Sequence, residues 1–164
     1  MYNKKVEKLL HNTEQELVRL GHKIRRLSPF DDTRSIVAKY ALIISYGSIE
    51  RAFKDIVIDA CSINATTQIK NFLLKNFDKN AFNFKYDELC KKLEGFDGEW
   101  RNNFKEDIKK RKHAQKYKTS LASLFDTRNE FAHGGNPNVT LTDVKNYFKD
   151  CAIVVKIFDR ILNK

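Results

Sequence analysis

The sequence predicts an all-α domain. Apolar residues recur at spacings of three and four along most of the chain, as they do on the buried faces of amphipathic helices. Both prolines, Pro29 and Pro137, fall at proposed helix boundaries, and no segment has the pattern of a β-hairpin. With 164 residues, of which 41% are hydrophobic, the chain is long enough to bury one core without a disulfide or a metal. We therefore expect residues 1–164 to form a single helical domain.

Two long helices are predicted first. The apolar face of the first helix comprises Val6, Leu9, Leu10, Leu17, Leu20, Ile24 and Leu27. Ser28-Pro29 ends this helix, because the residue before a proline disfavours helical backbone. Residues 31–33 then offer N-caps for a second helix, which runs to about Cys61 and should be central. Its apolar residues are Ile36, Tyr40, Ile43, Ile44, Phe53, Ile56 and Val57.

Residues 62–113 are predicted to form three short helices between the second helix and the next long one. Their apolar residues are Ile69, Phe72, Leu73 and Phe77, then Tyr86, Leu89, Cys90 and Leu93, and finally Trp100, Phe104 and Ile108. A long helix follows from about Ala114 to Ala132, and Gly134-Gly135 ends it. Thr140 and Asp143 form a capping-box pattern that begins the closing helix.

The charge of the chain indicates a polyanionic partner, most simply nucleic acid. The formal net charge is +10, and an alternative reading is solubility combined with lysine-rich codon usage. The three cysteines, Cys61, Cys90 and Cys151, are widely spaced without a Cys-x-x-Cys motif, which predicts free thiols in a reducing cytoplasm. We expect no metal, no cofactor and no membrane span, and the sequence lacks the P-loop, HExxH and Gly-x-Ser-x-Gly motifs of conventional hydrolases.

Arg128 and His133 are the main candidates for chemistry. Arginine is a permanent, forked phosphate ligand, and histidine moves protons near neutral pH, so together they supply what metal-free cleavage of a phosphodiester requires. Five residues rotate by roughly 140° on an ideal helix, which would splay the two side chains apart. They converge only if the last turn unwinds, which Gly134-Gly135 permits, or if a second subunit supplies the partner. The latter alternative predicts a homodimer.

Two charged residues lie on apolar stripes of their helices. Arg128 is spaced by seven and four from Leu121 and Leu124, and Glu50 is spaced by seven and four from Ile43 and Tyr46. A charge in an apolar seam is costly unless it is paired, so we predict that Glu50 faces Arg128 and orients its guanidinium. The alternative is that both residues lie at the margin of their stripes and reach water.

A basic stretch from Lys109 to Lys118 contains no acidic residue and leads directly into the helix that carries Arg128. Its candidate nucleic-acid-binding residues are Lys109, Lys110, Arg111, Lys112, Lys116 and Lys118. Such a stretch suits contact with a phosphate backbone, and the alternative is a solvated helix face.

The segment Arg128-Asn129-Glu130-Phe131-Ala132-His133-Gly134 resembles the RN-x-x-AHG signature of the HEPN superfamily, particularly its RiboL-PSP-like branch. Ser48-Ile49-Glu50-Arg51-Ala52-Phe53 is similar to the acidic signature in that superfamily's second helix, and the aromatic-rich final helix is similar as well. The resemblance covers roughly residues 33–60 and 118–164. Residues 62–113 would then be an embellishment of the helical bundle.

The resemblance implies a metal-independent endoribonuclease that acts in toxin–antitoxin, abortive-infection or other phage-defence systems. Its active site would form at a two-fold interface, with Arg128 and His133 catalytic, Asn129 positioning the motif and Glu50 supporting Arg128. The products would be a 2′,3′-cyclic phosphate and a 5′-hydroxyl, and the possible protein partners would be a cognate antitoxin or a partner subunit. The alternatives are a non-catalytic RNA-binding module, a protein-interaction subunit and a DNA-binding protein.

Overall fold

A computed structural model describes residues 1–78 and 82–163, except for the side chains at positions 76 and 78. Within these ranges the chain forms seven α-helices and contains no strand. The helices are α1 (Lys4–Ile24), α2 (Thr33–Ser62), α3 (Thr67–Leu73), α4 (Tyr86–Phe96), α5 (Gly98–Lys109), α6 (Ala114–Ala132) and α7 (Leu141–Leu162). A π-helical turn, Leu74–Asp78, continues α3. The predicted all-α class is thus confirmed.

The helix α2 is the centre of the bundle, as predicted. It packs against α7, α1 and α6, and α6 also packs along α7. Phe53 on α2 is fully buried and meets Phe158 on α7 edge to face, with ring centroids 5.0 Å apart. Phe104 on α5 meets the same Phe158 ring at 5.7 Å. Aromatic contacts between three helices therefore hold the middle of the core together.

The segment between α2 and α6 contributes to this core rather than lying outside it. Phe82 and Phe84 precede α4 and are buried, and the Phe84 ring lies 5.1 Å from Tyr46 on α2. Leu89 of α4 and Ile108 of α5 are also buried in the same cluster. The three short helices predicted for residues 62–113 correspond to α3, α4 and α5.

Local signals in the sequence set most helix ends. Helix α6 has the predicted bounds, and Thr140 forms the predicted capping box at the start of α7. The backbone N–H of Asp143 donates to Thr140 Oγ1 at 3.2 Å, and the backbone N–H of Thr140 donates to Asp143 Oδ2 at 3.0 Å. Helix α1 ends at Ile24, three residues before the predicted Leu27. There Arg34 donates to the carbonyl oxygens of Ile24 and Leu27, which satisfies acceptors at the helix end.

One face of α2 departs from the expected pattern. Ile36, Tyr40 and Ile43 were expected among the apolar residues of a central helix, but their exposed fractions are 65%, 49% and 41%. They follow one another at spacings of four and three, and Gly47 continues the same line as an exposed residue. We call Ile36, Tyr40, Ile43 and Gly47 the outer face of α2. None of the described helices is both long enough and apolar enough to cross a membrane.

Candidate functional site

The end of α6 is formed by a glycine pair. The N–H of Gly135 donates to the carbonyl oxygen of Glu130 at 2.9 Å, and the N–H of Gly134 donates to that of Phe131 at 3.2 Å. Gly134 has a φ of +84°, a left-handed conformation that favours glycine. Together these features form the Schellman motif that closes many helices.

His133 lies immediately before this pair, as the C-cap residue of α6. Its backbone N–H still donates to the carbonyl oxygen of Asn129 at 3.0 Å, so the last turn of the helix stays wound. The unwinding that would bring His133 towards Arg128 within one chain therefore does not occur. Among the described residues, no hydrogen bond joins the side chains of Arg128 and His133, and the side chain of His133 is exposed.

Arg128 is half-buried, and its guanidinium lies on an aromatic ring. The Cζ atom of Arg128 is 4.3 Å from the ring centroid of Tyr46 on α2. A guanidinium over the face of an aromatic ring is attracted by the negative potential of that face. Tyr46 itself is only 3% exposed, and it packs between Phe84 at 5.1 Å and Phe125 at 5.9 Å.

Asn129 contacts both halves of the motif. Its Oδ1 atom accepts a hydrogen bond from Arg128 Nη1 at 3.0 Å, and its carbonyl oxygen accepts from the His133 N–H. The first contact links the Asn129 side chain to the guanidinium, the second is an ordinary helical hydrogen bond, and the supporting role of Asn129 stays a prediction.

The predicted pairing of Glu50 with Arg128 is wrong. The Glu50 carboxylate instead pairs with Lys54 Nζ at 3.0 Å and accepts from the backbone N–H of Phe82 at 2.8 Å. Lys54 follows one turn after Glu50 on α2, and Phe82 arrives from the chain segment before α4. These two donors compensate the partly buried carboxylate, so that Glu50 does not need the guanidinium.

Tyr46, and not Glu50, lies against the guanidinium of Arg128. Burial raises the pKa of the Tyr46 hydroxyl, the charge of Glu50 raises it further, and the charge of Arg128 lowers it. Tyr46 therefore experiences both charges and lies one turn before Glu50 on the same helix. The sequence contains a signal for this residue, since Tyr46 lies on the same apolar stripe as Glu50, but a position on that stripe does not show which side chain meets Arg128.

The basic stretch spans the junction between α5 and α6. Lys109, Lys110, Arg111 and Lys112 are all exposed there. Arg111 forms an ion pair with Asp107 at 3.0 Å. Within the described residues, Lys109, Lys110 and Lys112 form no ion pair.

Two further lysines of the stretch, both on α6, have partners in the protein. Lys116 pairs with the buried Asp150 at 3.2 Å, and Ser120 donates to the same carboxylate at 2.8 Å. The Lys118 ammonium lies 3.9 Å from the centroid of the Tyr86 ring. Lys116 and Lys118 thus have structural contacts that connect α6 to α7 and α4, in addition to any role at the surface.

The helical bundle and the Arg128–His133 motif at the end of its sixth helix define a HEPN-type domain. A model of the RiboL-PSP-HEPN family matches residues 8–164, nearly the whole length of the chain. The chain therefore belongs to the RiboL-PSP-HEPN family. No curated protein and no solved structure matches it. The match also runs through residues 62–113, the segment that the sequence resemblance left out.

Proposed function

We propose that this protein is a metal-independent endoribonuclease. The observation that carries the proposal is the arrangement at the end of α6. The guanidinium of Arg128 is held by Tyr46 and Asn129, and an exposed imidazole follows at His133. A fixed cation and an accessible proton-transfer group are the two components that RNA cleavage needs when no metal takes part.

In the proposed reaction, the 2′-oxygen of a ribose attacks the neighbouring phosphorus. The new 2′-oxygen–phosphorus bond forms as the bond to the 5′-oxygen breaks, so the products are a 2′,3′-cyclic phosphate and a 5′-hydroxyl. An imidazole of His133 takes the 2′ proton or protonates the leaving oxygen, a contribution of about 10²–10⁴ in rate. Arg128 donates to the non-bridging oxygens, where negative charge grows in the transition state.

We further propose that two copies of the chain assemble the site. Arg128 is turned towards Tyr46 on α2, whereas His133 is exposed at the end of α6, and within the described residues no hydrogen bond joins the two side chains of one chain. A two-fold axis near the end of α6 would place the Arg128 of one copy close to the His133 of the other.

The outer face of α2 is the surface that we assign to this second copy. Lys39, which lies beside that face, reaches the end of α6: its Nζ atom is 5.8 Å from the Phe131 ring centroid and donates to Asn136 Oδ1. The outer face therefore borders the motif. It carries no charge in a protein with a net charge of +10, and among the described residues a Cβ atom at Gly47 would meet nothing within 4 Å apart from its chain neighbours and the backbone of α2. An uncharged, apolar surface with room for close approach favours a second copy over a polyanion.

The proposed substrate is RNA. The exposed basic residues before α6 would attract its phosphate backbone. We further propose a role as a toxin or defence effector in the cytoplasm, with a cognate antitoxin or another subunit as a partner, because the resemblance of the motif to HEPN proteins implies such a role. A non-catalytic RNA-binding or protein-interaction module is the second candidate. It is favoured by the separation of Arg128 and His133 within one chain.

Cleavage of a labelled RNA in excess EDTA tests the proposal. The all-2′-deoxy analogue of the same sequence is the matched control, because it lacks the attacking oxygen. We expect cleavage of the RNA only, with 2′,3′-cyclic phosphate ends detected by mass spectrometry. Binding without cleavage would identify the non-catalytic module. Activity that is lost on chelation and restored by magnesium would refute the metal-free mechanism.

A further inference from the structure

The contact between Arg128 and Tyr46 determines which groups of the guanidinium remain available. A guanidinium has five N–H donors in one plane, and stacking on a ring uses its face rather than those donors. The only hydrogen bond of the Arg128 side chain within the described residues goes to Asn129 Oδ1, which is a neutral acceptor. Most of the donor edge is therefore left for a ligand.

Within the described residues, the guanidinium of Arg128 also forms no ion pair. Glu50, the acidic residue that was predicted to face Arg128, is instead bound by Lys54 and by the backbone N–H of Phe82. A carboxylate paired with Arg128 would compete with a phosphate for the same donors and would cancel the charge that attracts it. An aromatic ring orients the guanidinium without occupying its donors and without cancelling its charge.

The ring that supports Arg128 is itself fixed. Tyr46 is 3% exposed, and its centroid lies 5.1 Å from that of Phe84 and 5.9 Å from that of Phe125. Phe84 and Phe125 in turn meet edge to face at 5.5 Å. The three rings come from α2, the segment before α4, and α6, so two other parts of the chain pack against Tyr46, and the loss of one ring leaves the other against it.

We propose that Tyr46 is a positioning residue for Arg128: its ring is an aromatic platform that holds the guanidinium without pairing with its charge and leaves its donor edge open to an RNA phosphate. This inference rests on the proposed function for its ligand, but the contact that it invokes exists without cleavage. The hydroxyl of Tyr46 is not part of the platform, so a phenylalanine ring at this position should hold the guanidinium equally well.

A double-mutant cycle on RNA affinity tests this role without requiring cleavage. The probe is a 2′-O-methyl RNA, which cannot react through its 2′-oxygen. Tyr46→Leu should weaken its binding by roughly 2- to 30-fold, the range expected when a cation–π contact is lost, while Tyr46→Phe binds like wild type. In an Arg128→Ala background there is no guanidinium to position, so Tyr46→Leu should then have no further effect.

Phe84→Leu is the matched control, because Phe84 packs against the Tyr46 ring at 5.1 Å, whereas the guanidinium of Arg128 lies over the Tyr46 ring itself. It should reduce stability but leave the affinity per folded molecule near wild type. If Tyr46→Leu does not fold, Tyr46→Met takes its place, since methionine is flexible enough to fill the space of the ring.

The outcomes separate the alternatives. Equal effects of Tyr46→Leu in the Arg128 and Arg128→Ala backgrounds, or equal losses in Tyr46→Leu and Phe84→Leu, would overturn the platform and assign Tyr46 a structural role only. If wild-type protein binds the 2′-O-methyl RNA but does not cleave unmodified RNA, the proposed nuclease function fails while the cycle still decides the platform. If the protein cleaves RNA, Tyr46→Leu should lower kcat by about the same factor as it lowers the affinity for the 2′-O-methyl RNA. Tyr46→Phe should have the kcat of wild type.

Discussion

Gly135 packs directly against Glu130, the residue five positions before it. A Cβ atom at position 135 would lie 2.7 Å from both the Cγ atom and the carbonyl oxygen of Glu130, which is closer than real contacts allow. The N–H of Gly135 donates to the same carbonyl oxygen at 2.9 Å. This contact closes α6, which ends at Ala132, and it thereby fixes the backbone of the C-cap residue His133 at the end of the helix.

Substituting Gly135→Ala should therefore destabilise the protein, by about 1–3 kcal/mol, the usual cost of forcing extra atoms into a packed site. The Glu130 side chain can move aside, but its carbonyl oxygen cannot do so without breaking the helix end. Gly95→Ala is the control, because a Cβ there meets no atom within 4 Å inside α4, and alanine is the better helix former. Urea denaturation measures both changes. Equal stability of the two variants would show that the motif helix ends by another cause.

The helix ends around the motif were predictable because they depend on neighbours in sequence. Gly134-Gly135 ends α6, and Thr140 with Asp143 begins α7, through contacts that span no more than five residues. Of the two partners of Glu50, Lys54 is local, but Phe82 was not predictable in this way. The backbone N–H of Phe82 comes from 32 residues away, and helix phase shows which way a side chain points but not which segment meets it.

Replacing the two motif residues should abolish cleavage without unfolding the protein. His133 is exposed and Arg128 is half-buried at the end of α6, so Arg128→Ala and His133→Ala remove little core. Circular dichroism should retain its helical signal, while single-turnover assays show no product. The double variant should lose little more than either single variant, because residues that act as one unit are not additive. Wild-type rates in both single variants would contradict the assignment.

The same two variants can show whether the site is shared between copies. If each site takes Arg128 from one copy and His133 from the other, mixed dimers of Arg128→Ala and His133→Ala contain one intact site. Mixing equal amounts and allowing exchange should then restore about one quarter of wild-type activity. No recovery after exchange, with mixed dimers demonstrated by mass spectrometry, would mean that each chain supplies both groups of its own site.

The exposed lysines before α6 should set RNA affinity and not the rate of the chemical step. Each phosphate contact on a single strand contributes roughly −0.7 to the slope of log affinity against log salt. Arg111 is held by Asp107, so we expect Lys109, Lys110 and Lys112 to carry most of the effect. Changing these three to Gln should flatten the slope by about 2, and adding Arg111→Gln should change it less.

The control for this measurement is a triple variant with the same loss of charge elsewhere. Lys8, Lys23 and Lys149 are exposed on α1 and α7, outside the basic stretch. Their change to Gln should leave most of the slope intact, and kcat at saturating RNA should stay near wild type in both triple variants. An equal slope change in the two would show that net charge alone, and not the junction before α6, guides RNA.

The outer face of α2 should hold two copies together. Helical spacing predicted that Ile36, Tyr40 and Ile43 share one face, but spacing alone does not tell whether such a face meets its own core or another molecule. Ile43→Glu would place a carboxylate in the centre of this face. Near a two-fold axis, this carboxylate would face the same carboxylate of the second copy, and the two negative charges would repel each other. The Ile43 side chain is 41% exposed, so the fold of a single chain should tolerate the change. We expect multi-angle light scattering to show a dimer for wild type and a monomer for Ile43→Glu, with cleavage lost at low protein concentration.

Ile63→Glu is the control, because Ile63 is 65% exposed and lies twenty residues further along the chain than Ile43, roughly 30 Å away at the rise of an α-helix. A wild-type protein that is monomeric and fully active at high dilution would refute the shared site, and a dimer that persists in Ile43→Glu would move the interface to another face.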